Sequence, residues 1–122
     1  MIDSIIREFG EHLGIGGLAL EADGTLVLEV EPSDTICLVS GGDKLHLSLS
    51  RACLYAHTPS AARLLELVHF EKNGGHGVRC RRADFGRTNV FMESLPLESL
   101  RGADVLDALD RLTKLHNVAE SV

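Results

Sequence analysis

The chain has 122 residues, 44% of them hydrophobic and 25% charged, enough for one folded core and too apolar for a disordered segment. Its formal net charge of −6 argues against a nucleic-acid partner, because phosphate neutralisation needs Lys and Arg clustered over a face. No stretch approaches the roughly 18 consecutive apolar residues of a membrane span, and "MIDSIIREFGEHLG" carries acidic residues without the uninterrupted apolar run of a signal peptide.

Ile2, Ile5, Ile6, Phe9 and Leu13 recur at spacings of three and four, which predicts an amphipathic helix over residues 2–13 with Arg7, Glu8, Glu11 and His12 on its polar side. Gly14 supplies its cap. The period then changes to two. "LALEADGTLVLEVEP" alternates around Asp23-Gly24 and reads as a hairpin. "TICLVS" and "KLHLSLS" follow, the second alternating Leu45, Leu47 and Leu49 with His46, Ser48 and Ser50.

"TPSAARLLELVHFEKNGG" is punctuated as a helix, with Thr58 as N-cap, Pro59 at the first position and Asn73-Gly74 at the end. "GVRCRRAD" and "TNVFMESLPL" predict two strands around a short turn at Phe85-Gly86-Arg87. In the first of them Val78 and Cys80 face inward, while Arg79 and Arg81 face out and would be placed to steer a partner. A last helix over about 101–119 buries Val105, Leu106, Leu109, Leu112 and Leu115. Asp104 and Asp107 near its start, with Arg111, Lys114 and His116 near its end, would complement the helix dipole. The expected architecture is a single α+β domain over 1–122: helix, three or four strands, helix, two strands, helix, with an antiparallel twisted sheet.

The chemical candidates are thin. His69, His76 and Cys80 lie close in sequence, but a structural zinc site takes four ligands and the fourth is missing. The glycines of "GGHG" and "GIGG" follow helices instead of opening them, the wrong dipole end for a phosphate loop. Cys53 and His57 are neighbours only along the chain. Cys37, Cys53 and Cys80 have no CxxC spacing and are expected as reduced, mostly buried thiols of a cytosolic protein. His12 and His46 show no orienting partner, and Glu29 and Glu31 sit on a solvated strand face. The sequence therefore predicts no catalytic residues, no metal and no cofactor. A thiol- or metal-dependent enzyme built on Cys53 or on His69, His76 and Cys80 is the less favoured alternative. The helices and strand faces carry more apolar surface than a two-layer domain of this size easily buries, which points to a partner interface.

The segments "IIREFGEHLGI", "LALEADGTLVLEVE", "AARLLELVHFEKNGG" with "GVRCRRAD", and above all "VFMESLPLESLRGADVLDALDRL" resemble the class I chaperones of bacterial type III secretion systems, the Tir/CesT and Yersinia Yop-chaperone group. The resemblance covers nearly the whole chain. "LSRACLYAH" and the long closing helix look nearest to the branch that serves a secretion gatekeeper. The resemblance implies a non-enzymatic escort in the bacterial cytoplasm that holds the N-terminal segment of a secreted effector or gatekeeper. It further implies a homodimer or a heterodimer with a paralogous small chaperone. By position it assigns effector binding to Ile5, Ile6, Phe9, Leu13, Leu26, Leu28 and Val30. It assigns a dimer interface to Leu64, Leu65, Leu67, Val68, Phe70, Val90 and Phe91. A regulatory interaction domain of the same fold without a secretion role is the other alternative.

Overall fold

The computed structural model describes residues 2–30, 33–52, 61–69, 77–83 and 87–120. Helix α1 (Ile2–His12) buries Ile5, Ile6 and Phe9 and leaves Asp3, Arg7, Glu11 and His12 in solvent. It ends as expected, with Gly14 in the left-handed region at φ 77°. Gly14 N–H donates to Glu11 O at 3.0 Å and Ile15 N–H to Gly10 O at 2.8 Å, the two bonds of a Schellman cap.

The three following strands are β1 (Thr25–Val30), β2 (Asp34–Gly41) and β3 (Lys44–Ala52). The tight turn expected at Asp23-Gly24 forms, with Gly24 N–H donating to Glu21 O at 2.9 Å and Glu21 N–H to Thr25 O at 2.7 Å, but residues 18–22 are not a strand and no ladder precedes it. Asp23 Oδ1 accepts from the backbone N–H of Thr25 at 3.2 Å and from its hydroxyl at 2.7 Å. These side-chain bonds brace the turn alongside its main-chain bonds. The meander has three strands, not four, and its tight turn lies at Gly42-Asp43 between the paired Gly41 and Lys44.

Helix α2 is described over Ala61–Leu67; Thr58, Pro59, Asn73 and Gly74, expected at its ends, lie outside the described residues. Strands β4 (Val78–Ala83) and β5 (Thr88–Pro96) and helix α3 (Gly102–Glu120) complete the order. The five strands form one antiparallel sheet in the order β1-β2-β3-β5-β4. Its register aligns Leu28, Ile36, Leu49, Phe91 and Cys80 across one face, and Leu26, Leu38, Leu47, Glu93 and Val78 in the next row. The core lies between that face and helices α1 and α3. No helix among the described residues is long and apolar enough to cross a membrane.

The α1–α3 crossing is close enough to exclude a side chain. A Cβ on Gly102 would lie 2.5 Å from the backbone nitrogen of Phe9. At the same point Glu8 Oε1 accepts from Gly102 N–H at 2.6 Å, and its Oε2 accepts from Arg101 at 3.2 Å. A carboxylate from one helix thereby caps the positive end of another. The Arg101 guanidinium first, and then the Gly102 N–H, hold the Glu8 carboxyl below the usual range.

Three polar groups are paired against the core. Glu93, whose side chain is 3% exposed, accepts from Arg111 at 2.7 and 3.2 Å, the bidentate geometry that offsets desolvation best. Arg51 donates twice to Asp34, at 2.7 and 2.8 Å, and reaches Asn117 and Glu120 at the end of α3. His116 is buried, with Nε2 2.7 Å from Leu49 O and its ring edge-on to Phe91 at 4.7 Å. Arg111 and His116, expected near the helix end as complements to its dipole, are thus bound to the sheet. Both turn inward, because β3 and β5 present a carbonyl and a carboxylate to that side of α3.

Two expectations follow. Gly102→Ala should cost about 1–3 kcal/mol, the usual penalty of forcing extra volume into a packed contact, read as a fall in the urea midpoint at unchanged slope. Burial lowers the His116 pKa from 6.5, and nearby Arg51 adds to this while the Leu49 carbonyl, Asp34 and Glu120 oppose it. The folded state thus favours neutral imidazole. The stabilisation is fully present above the unfolded value of 6.5 and is lost as pH falls toward and through the lowered folded value. His116→Leu should flatten the change in unfolding free energy between about pH 7.5 and pH 5.5; a slope equal to the parent's would refute this role.

Candidate partner-binding site

Apolar residues collect along the segment that leads from the end of α1 into β1. Ile5, Ile6 and Phe9 are covered within the chain, and only Leu13 of the α1 set assigned to partner binding remains half-buried. The segment after the cap folds back over Gly10, where a Cβ would meet Ile15 O at 2.8 Å and Leu18 Cδ1 at 2.9 Å. This close return lays Leu18 and Leu20 against the core while leaving Ile15 exposed. Beside them Leu26 and Leu28 are half-buried, and Val30 is 44% exposed.

The margin so formed runs into the start of β1, where Glu21 N–H donates to Thr25 O, and β1 pairs with β2 alone among the described strands. An edge strand flanked by half-buried leucines offers main-chain bonds and side-chain slots together, the combination that an extended peptide uses when it adds a strand. Val27, on the opposite face of β1, is 58% exposed. Sequence reasoning missed Ile15, Leu18 and Leu20 as parts of this margin. The signal was the glycine run of "GIGGLAL", which lets the chain reverse tightly after α1.

A second apolar feature lies on α2. Leu65 is 65% exposed and Val68 half-buried, whereas Leu64, Leu67, Val90 and Phe91 are buried within the chain. Phe70 lies outside the described residues. Of the positions assigned to a dimer interface, the described surface therefore offers Leu65 and part of Val68.

The candidate chemical groups do not converge. His69 is exposed beyond α2, and Cys80 is half-buried against the core. Burial pushes the Cys80 thiol up, outweighing the opposite pull of Arg82, so the reactive thiolate is disfavoured. Cys53, His57 and His76 lie outside the described residues. Among the described residues no three His, Cys, Asp or Glu side chains group to hold a metal.

His46, expected to lack an orienting partner, has its Nδ1 2.7 Å from Ser94 Oγ, because the β3–β5 register places the two opposite each other. Ser94 Oγ also accepts from Arg79 Nη2 at 3.1 Å. A guanidinium proton on the hydroxyl oxygen occupies one of its two lone pairs and draws electron density from it, which makes it a poorer nucleophile.

Replacing Ile15 and Val30 together by Asp should shift stability by no more than about 0.5 kcal/mol each, as for other exposed positions. It should also reduce binding of an apolar dye that reports this margin. A large loss of stability would show that the margin belongs to the core.

No protein-family profile matches the sequence, and no curated protein matches it. Solved structures do. A chain of the complex of the effector HopA1 with the chaperone SchA superposes with a TM-score of 0.75 at 15% identity, over 99% of this chain and 94% of that one. A chain of the ExsC–ExsE complex gives 0.70 at 14% identity, covering 98% and 88%. The type III secretion chaperone SycH of Yersinia pestis, bound to a stable fragment of YscM2, gives 0.67 at 18% identity over 98% and 97%. These likenesses establish the α+β architecture, an antiparallel sheet with flanking helices.

Proposed function

We propose that this chain, whose fold is that of the class I type III secretion chaperones, binds an extended segment of a secreted effector or gatekeeper protein and keeps it competent for export. The observation that carries the reading is the apolar margin that runs from the end of α1 into β1, an edge strand among the described strands. The three structural neighbours support it, since each was solved with a protein partner.

Binding of this kind is non-covalent. The bound segment contributes main-chain hydrogen bonds along β1, and its alternate side chains enter the slots between Leu13, Leu26 and Leu28. Ordering a flexible segment has an entropic cost, so affinity depends on a few well-buried anchors and not on the whole length. Ile5, Ile6 and Phe9 act beneath that surface as its support, not as contacts. The working state is a dimer, a second copy or a paralogous chaperone meeting this one at the Leu65 face of α2. The compartment is the bacterial cytoplasm, where an export-bound segment must be held before it is secreted. No bond is made or broken, so the proposed activity is binding and not catalysis.

Two measurements test the reading. Light scattering of the purified chain should give about 26 kDa, twice the 13.2 kDa of one copy, and Leu65→Glu should return the single-copy mass. A tagged chain expressed in its native bacterium should retain one secreted protein through an extended segment, and Leu28→Asp with Val30→Asp should release it. A monomer at micromolar concentration that retains no secreted protein would sink the proposal.

A further inference from the structure

The sheet has a second open edge, and its chemistry is opposite to that of the first. β4 pairs with β5 alone among the described strands, and its sequence from Arg79 to Arg82 carries three arginines. Arg79 and Arg81 are exposed on the sheet face that carries no α1 or α3, and Arg82 is exposed on the other. No carboxylate among the described residues forms an ion pair with any of the three. By register Lys44 and His46 lie on the same face as Arg79 and Arg81. The only acidic strand residue described there is Glu29, on β1 at the far side of the sheet. A protein of net charge −6 has thus gathered three arginines along one strand edge, with no ion pair to them from the described residues.

From this placement we infer that the outer edge of β4 is a docking strand for an extended acidic segment of another protein, with carboxylates at alternate positions opposite Arg79 and Arg81. Alternate residues of a strand stand about 6.7 Å apart on one face. An incoming strand with acidic residues at every second position therefore matches both arginines at once, in cross-strand opposite-charge pairs.

Arg79 is already held for this, its Nη2 donating to Ser94 Oγ at 3.1 Å while Ser94 meets His46. Less side-chain freedom is then lost when an anion arrives. A second copy of β4 is a poor occupant. In the three central antiparallel registers of this strand against itself, Arg79 faces Arg81, Arg79 faces Arg82, or Arg81 faces its own copy. Like charges directly opposite are destabilising, and positive edges of this kind block self-pairing. Nucleic acid is disfavoured by the acidic remainder of the chain.

The inference stands apart from the secretion reading, and its test needs no native partner. The probe is a fluorescent eight-residue peptide alternating Glu and Val, with a Lys–Val counterpart of the same length, titrated into the full chain. The parent should bind the Glu–Val peptide, more weakly as salt rises, and prefer it to Lys–Val. Arg79→Glu with Arg81→Glu should weaken Glu–Val binding by about tenfold or more and reverse the preference, since two attractive pairs become repulsive.

Amide exchange should slow in β4 on binding and stay unchanged in β1. If the double charge reversal fails to fold, Arg79→Gln with Arg81→Gln replaces it and should abolish the salt dependence. Ile15→Asp with Val30→Asp should leave peptide binding intact, so loss of a secreted partner and loss of this site are separable. Absence of binding, equal binding by parent and variant, protection outside β4, or tighter Arg-dependent binding of a single-stranded oligonucleotide would each overturn the inference.

Discussion

The contact on which the architecture depends is the crossing of α1 over the first turn of α3. Three requirements meet there within a few ångströms. Gly102 must lack a side chain so that the backbone at Phe9 can approach. Glu8, held ionised by its neighbours, must accept from the Gly102 N–H at 2.6 Å, while Arg101 holds that carboxylate from the other side. Only with α1 seated at this distance do Ile5, Ile6 and Phe9 reach Val105, Leu109 and the sheet leucines in one core. The position of α1 in turn sets where the chain reverses after Gly14 and where the apolar margin beside β1 comes to lie.

The two sheet edges then define the molecule's outward chemistry. β1 is bordered by leucines and by Val30, and it suits a partner whose side chains are apolar. β4 is bordered by arginines and suits one whose side chains are acidic. Strands with open edges ordinarily invite indiscriminate pairing, and these two carry opposite chemistries along their edges.

Much of the fold was legible because its signals are local. The three- and four-residue spacing of α1, the cap at Gly14, the strict alternation of Leu45, Leu47 and Leu49, and the apolar face of α3 each depend on neighbours along the chain. What was not legible depends on register. Nothing in "KLHLSLS" says that His46 will stand opposite Ser94, or that Leu49 will offer its carbonyl to His116. Asp23-Gly24 is a different case: the turn forms where the dipeptide places it, but the alternating residues before it do not continue as a strand. At the candidate site, residue type was readable and covering was not. Ile5, Ile6, Phe9, Leu64, Leu67, Val90 and Phe91 are apolar as an interface requires, yet their own chain covers them, and the remaining surface is carried by Ile15, Leu28, Val30 and Leu65.

The strand order has a kinetic side. β1, β2 and β3 are joined by short connections and can zip locally. β5, by contrast, joins β3 with Ala52 opposite Thr88, 36 positions further along (88 − 52). Closing a loop of that length adds only slowly growing entropy, but it must be closed before the long-range ladder contributes anything. The N-terminal meander is thus the natural nucleus, and insertion of β5 beside β3 is the step that sets the pace. Until that step the leucines of β3 lack one of their walls, so the nascent chain passes through a form with its future core open on one side.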